Sequence, residues 1–279
     1  MPVGIHRKVN ARRCDHGAEV VVPSKYEKGE TMSEIIQATE EEVVRMQSEE
    51  LDSVEDLVAF FNANAETFTF LSQVFFKELN DEAICALAAE QWPEHTGNEH
   101  LDRGYNLLRR YFKFSAGDRR SQLAVEYARV FLAAGVYSSD TASAVPYESV
   151  FTGEEHAVMG EARDAVVRWF LEDGFQVDPD LHEPEDHLAF ELEYVASMNA
   201  KASSLLAAGE GAAARKCAKR QAAFIDKHLL NWIDLLASAA RASAKTTFYT
   251  GMLLVATGAL EQAHAALLDV ADELPLLAA

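Results

Sequence analysis

Residues 183–209 read EPEDHLAFELEYVASMNAKASSLLAAG, and the fold class turns on how this stretch is parsed. Pro184 suits the first position of a helix, where a backbone N–H would lack a partner anyway, and Glu185 and Asp186 suit the first turn. Leu188, Leu192, Val195, Met198, Ala202 and Leu205 then recur every three or four residues, the period of one helix face. Gly209 supplies a stop. The spacing therefore predicts a long helix from Pro184 to just before Gly209.

Outward from it the pattern stays helical. Upstream, Glu154-Glu155 place negative charge where a helix begins, Val158, Ala162, Val166, Trp169 and Phe170 form its apolar face, and Gly174 ends it. Downstream follow a basic helix from about Gly211, a segment around Trp232 and a last helix from about Lys245 to Glu273. Nearer the N-terminus, Ser53 and Asp56 make a capping-box-like start for Val54, Leu57, Val58 and Phe61. Leu101, Tyr105, Leu108 and Phe112 form the next stripe. Asp118 caps a helix with inner face Leu123, Tyr127, Val130 and Phe131 that stops at Gly135. Gly135 to Gly153 reads as a long ordered loop of the kind that often carries function. Convincing strand alternation is absent. The expectation is an all-α, single compact multi-helix domain over residues 32–279, preceded by a disordered tail, residues 1–31, and the sequence leaves Met1 and Met32 both open as the translation start.

Charge and composition narrow the function. The chain of 279 residues carries 25 Lys and Arg against 45 Asp and Glu, a net −20 that opposes nucleic acid or an anionic membrane as main partner. The tail holds six basic and four acidic side chains, so the rest carries −22. Residues 140–193 contain fifteen acidic and two basic residues, and residues 201–245 contain eight basic and three acidic. Such an acidic stretch can attract a cationic peptide, with arginine favoured where carboxylates offer two oxygens. Cys14, Cys85 and Cys217 lie far apart without a C-x-x-C pair, which fits a reducing cytoplasm. Cys85, within Ile84-Cys85-Ala86-Leu87, is expected to be buried. The longest nearly unbroken apolar run, Gly251 to Leu260, is about half of the roughly 20 residues that span a bilayer, so no transmembrane helix is expected. Arg12-Arg13 lacks the apolar region of an export signal.

Catalytic motifs are sparse. No G-x-S-x-G, phosphate-binding loop or G-x-G-x-x-G is present. Asp186, His187 and Glu191 would meet on adjacent turns, and a carboxylate-histidine metal-binding bundle enzyme is the competing class. Such bundles take two Glu-x-x-His motifs, whereas only Glu261-x-x-His264 has that spacing. The plainer alternative makes Pro184, Glu185 and Asp186 a helix start and His187 a structural histidine. His95 and His100 flank a Gly-Asn turn and are expected to be solvated, as is the basic face Arg215, Lys216, Lys219 and Arg220.

Several short motifs in series resemble one family. Glu183-Pro184-Glu185-Asp186-His187 resembles the E-P-x-D-H signature of the TorD/DmsD family of redox enzyme maturation chaperones. Tyr127-Ala128-Arg129-Val130-Phe131 resembles its aromatic-x-R-L-F helix end, and Pro146-Tyr147-Glu148-Ser149-Val150-Phe151 its P-[YW]-x-S-V-[YW] loop. His228-Leu229-Leu230-Asn231-Trp232 and Phe248-Tyr249 resemble its H-L-x-x-W and F-Y positions. The chain departs from the pattern in lacking a Gly-Pro pair after Phe131 and in having Asn231 where proline often precedes the tryptophan. The resemblance implies a cytoplasmic, non-enzymatic chaperone without a cofactor of its own. It would bind the twin-arginine leader or the apo-subunit of a molybdopterin oxidoreductase, delaying export and favouring cofactor insertion. Carried onto this sequence, it makes Asp186 a candidate for direct contact with a guanidinium, although a helix cap would use the same residue. His187 would shape the site, Tyr127, Tyr147 and Ser149 would form its rim, and Glu183 would add charge.

Overall fold

The computed structural model describes residues 5–7, 53–132 and 144–277. Helix α1 (Val54–Phe76) starts at Ser53, whose Oγ accepts a hydrogen bond from the Asp56 N–H at 3.2 Å and donates to the Asp56 carboxylate at 2.8 Å. Next come α2 (Asp81–Ala89), α3 (Glu99–Phe114) and α4 (Arg119–Phe131), each opened by a side-chain oxygen from Asn80, Asn98 or Asp118. A short α5 (Glu148–Thr152) precedes α6 (Glu161–Asp173), which ends at Gly174 in the left-handed region at φ 83°. Helices α7 (Leu188–Ala207), α8 (Gly211–His228), α9 (Ile233–Ser243) and α10 (Phe248–Leu277) complete the described chain. The all-α class expected from the sequence is what the structure shows.

Helix α7 is the centre of the packing. It lies between α1 and α8, while α10 closes the other side against α3 and α8. Leu188, Phe190, Leu192, Tyr194, Val195, Met198 and Ala202 are all buried, so α7 is covered on every side. Close approach of α3 and α10 depends on missing side chains. A Cβ on Gly104 would lie 2.9 Å from the Gly251 carbonyl oxygen, and one on Gly258 would lie 2.6 Å from Leu101 Cγ. By length and composition Phe248–Asp272 is apolar enough to cross a membrane, a property that the shorter run Gly251–Leu260 did not disclose. Its side chains are nevertheless spent inside the fold, Met252, Leu253, Ala256, Leu260, Leu267 and Val270 among them.

Several local expectations are corrected. The helix expected from Pro184 begins at Leu188, with His187 as its cap. The one expected at Glu154-Glu155 begins at Glu161, which leaves Val158 in an exposed turn. The segment read as a loop to Gly153 contains α5; its residues 133–143 lie outside the described chain. Cys85 is exposed, because Ile84 and Leu87 define the inner face of α2. Among the described residues two three-residue strands occur: β1 (Ile5–Arg7) pairs antiparallel with β2 (Phe175–Val177), Ile5 opposite Val177 and Arg7 opposite Phe175. Thus residues 5–7 of the segment read as an unstructured tail are paired. The rest of that segment, with Cys14 and Met32, lies outside the described residues.

Candidate functional site

Two motif loops lie side by side. The Glu148 N–H donates to the Asp186 carbonyl at 3.0 Å, the Leu188 N–H to the Pro146 carbonyl at 2.8 Å, and Tyr147 and His187 form an antiparallel bridge between them. Asp186 therefore serves this pairing, and Pro184 and Glu185 precede α7 instead of opening it. That long-range demand displaces the helix start by four residues.

Asp186 sits beneath the junction with no exposed surface. Its Oδ2 accepts from the Ser149 N–H at 2.9 Å and from the Ser149 hydroxyl at 2.5 Å. Burial pushes the carboxyl pKa above its ordinary range, against the lowering effect of these bonds. Asp186, expected from the sequence as a candidate for direct contact with a guanidinium, thus exposes no surface and is engaged by Ser149. His187 is also buried: its Nδ1 accepts from the Ala189 N–H at 3.1 Å, and burial pushes its pKa down to about 3. Its neutral ring meets Tyr147 edge-on at 5.0 Å. Tyr147 is half-buried and donates to Glu183 at 2.6 Å, so this pair carries the junction to the surface, where Glu183 is exposed. Arg163 holds Glu185 with two bonds, 2.6 and 3.1 Å.

A deeper layer lies below. The Glu148 Oε2 is 2.9 Å from His228 Nδ1, and its Oε1 accepts from Asn231 at 3.1 Å. Trp232 donates to the His228 carbonyl at 2.7 Å and stacks on Phe151 at 5.5 Å. Fully buried Glu191 faces Glu148 and Asp186; desolvation first, then these two neighbours, raise its pKa well above the glutamate range. The segments 146–151, 183–188, 191 and 228–232 therefore form one polar knot. Reading by sequence put Glu191 beside Asp186 and His187 but missed Glu148, His228 and Asn231 as members of the same cluster. The available signal was charge inside apolar helical stretches.

Tyr127, expected at the rim, lies within electrostatic reach of Tyr147 and Glu183 but beneath the surface. It is buried and donates to the Phe75 carbonyl at 3.0 Å, with Phe131 and Tyr249 rings at 5.3 and 5.7 Å. Glu126, next to it, accepts the Lys245 and Thr246 N–H groups at 2.7 and 2.6 Å and so fixes the approach to α10. The Tyr127–Phe131 and Phe248-Tyr249 motifs are thus a packing unit. Nor is the basic face of α8 simply solvated. Arg220 pairs with Asp173 and Glu172, each at 2.7 Å, and its guanidinium lies 3.7 Å from the Trp169 ring centroid. His100, likewise read as solvated, is 3.0 Å from Glu261, which also accepts from Asn98 at 2.8 Å. Glu261 is thereby drawn away from a Glu-x-x-His metal arrangement, and among the described residues no group of three His, Cys, Asp or Glu side chains is arranged to hold a metal ion.

The two motif loops of this helical domain thus lock together beneath exposed Glu183. Residues 98–238 match the family described as nitrate reductase delta subunit. A chaperone protein TorD of Vibrio cholerae (El Tor Inaba N16961) is 29% identical over 196 residues, covering 66% of this chain and 82% of the relative. That of Vibrio parahaemolyticus is 26% identical over 221 residues, 76% and 98% of the two chains, and that of a Psychrobacter species 24% over 217 residues, 75% and 94%. The chain belongs to the TorD/DmsD family of redox enzyme maturation chaperones. Its role is that of a chaperone and not of an enzyme.

Proposed function

We propose that this chaperone acts in the cytoplasm on a molybdopterin oxidoreductase subunit, holding its twin-arginine leader or apo-subunit at the junction of the two motif loops, delaying export and favouring cofactor insertion. The observation that carries this reading is the junction itself. Residues 146–151 and 183–188 are locked by backbone pairing and by the Ser149–Asp186 bonds, with Tyr147 and Glu183 at the surface. A rigid acidic edge of this kind lowers the ordering cost of binding a flexible, cationic segment. Guanidinium groups would meet Glu183 and its exposed carboxylate neighbours. Asp186 and His187 would act from below as positioning residues, Asp186 by holding the Ser149 loop and His187 by starting α7 under Tyr147. Reversibility fits contacts made in solvent, since exposed charge pairs contribute little each and weaken with salt.

Titration calorimetry with a twin-arginine leader peptide and its Arg-Arg to Gln-Gln variant tests the proposal. The paired arginines should strengthen binding at least about tenfold at low salt, with the advantage shrinking as salt rises; equal affinities would end the charge-recognition reading. The family's nitrate reductase description supports the apo-subunit arm. Capture of a leaderless subunit at an affinity equal to that of the leader-bearing one would favour that arm.

A further inference from the structure

Between α5 and α6 the chain runs Gly153-Glu154-Glu155-His156-Ala157-Val158-Met159-Gly160, and two features of it stand out from ordinary loop chemistry. First, His156 and Met159 lie in the left-handed region at φ 48° and 67°, which histidine enters more readily than most residues but a methionine seldom adopts. Second, the apolar side chains of Val158 and Met159 are turned outward, 47% and 58% exposed, although burial is their ordinary state. The loop is nevertheless held. The Gly153 N–H donates to the Ser149 carbonyl at 3.1 Å, and the His156 ring nitrogen Nδ1 is 3.0 Å from the Val150 carbonyl oxygen. Gly160 backs onto Ser149 so closely that a Cβ there would come within 3.2 Å of the serine Cβ. The loop thus rests on the same serine that Asp186 fixes.

We propose that Val158 and Met159 seat the apolar segment of the client peptide, while Glu154, Glu155 and Glu161 around them meet its cationic residues. This rests on the leader reading above and assigns that peptide's apolar part to this loop. Charge decides the occupant. The exposed apolar pair lies between exposed Glu154-Glu155 and Glu161 in the chain, so a second copy of the same acidic segment, or an anionic lipid surface, would be repelled, whereas arginines beside an apolar run match both features. The conformational cost carried by Met159 is offset by presenting the Val158 and Met159 side chains before the client arrives, a preorganised platform of the kind that reduces ordering on binding.

The test uses the full chain with a twin-arginine leader peptide. Val158→Ser/Met159→Ser should bind the leader at least about tenfold more weakly, the scale expected when an apolar side chain loses its contact, with an unchanged slope of affinity against salt. Glu154→Gln/Glu155→Gln should instead flatten that slope. A leader carrying a photo-crosslinker in its apolar segment should label residues 154–160 of the unaltered protein, which needs no variant to fold. A folded serine variant that binds within about twofold of the wild type, or crosslinks confined to other segments, would overturn the assignment while leaving the leader reading intact. No binding by the wild-type chain would overturn both. Self-association of the wild type that the serine variant abolishes would make a second copy the occupant and overturn the proposal.

Discussion

Residues 140–193 supply two sets of carboxylates that composition does not separate. Glu148, Asp186 and Glu191 are buried, with His228, Asn231 and Ser149 as partners or neighbours. Glu154, Glu155, Glu161 and Glu183 are exposed. The inner set exposes almost no surface to a client, and removing its hydrogen-bonded members Glu148 and Asp186 should cost stability. The outer set holds little of the fold and faces solvent where a peptide arrives. A net charge counted along the sequence therefore mixes a structural quantity with a recognition quantity, and only burial divides them.

Perturbing the two sets should show the division, beginning with the largest effect. Glu148→Ala leaves the His228 ring and the Asn231 amide without their acceptor and should destabilise the fold by about 3 kcal/mol. Thermal unfolding should show this as a drop of about 8 °C. Ser149→Ala removes one of two donors to Asp186, and a loss of about 1–2 kcal/mol in a denaturant titration is expected. Glu191→Gln should change little at neutral pH or should stabilise, because the raised pKa means that the folded state keeps this proton after an unfolded glutamate has lost it. Stability from that difference is complete below the ordinary glutamate range near about 4.3 and is lost as pH rises through the folded pKa. The glutamine variant should therefore flatten the decline in melting temperature with rising pH; an unchanged pH profile would show Glu191 ionised in the native state. The smallest effect on stability belongs to Glu154→Gln/Glu155→Gln, expected to leave the melting temperature within about 2 °C of the wild type. A larger fall would move these glutamates into the structural set.

The parts legible in the sequence are those with local causes. Ser53 and Asp118 cap helices with their own side chains, Gly174 ends α6 in the left-handed region, and the Leu188 to Ala202 stripe is buried as its spacing required. Pro184-Glu185-Asp186 has the composition of a first turn, yet the partners that decide its conformation, Pro146 and Glu148, lie nearly forty residues away. The same distance hid the burial of Asp186, since a helix start and a pinned loop call for the same aspartate. Val158 continues an apolar spacing that suited α6, but Gly160 begins the helix after it. At Cys85 a local cue was overlooked: Ile84 and Leu87 are three apart on one face, which turns the intervening thiol outward. For the candidate site, the motif loops were legible and their depth was not. Asp186, His187 and Ser149 were found as a group, whereas Tyr127 belongs to the packing around Tyr249.

The division between inner and outer carboxylates is tested most directly by titrating a twin-arginine leader peptide into Asp186→Asn and into Glu154→Gln/Glu155→Gln under one buffer condition, each variant first shown to be folded. The account predicts that the outer pair loses affinity and salt dependence at an unchanged melting temperature, while Asp186→Asn loses melting temperature and keeps the arginine preference of the wild type. An Asp186→Asn protein that melts like the wild type and no longer distinguishes Arg-Arg from Gln-Gln would contradict it, placing the guanidinium on Asp186 itself.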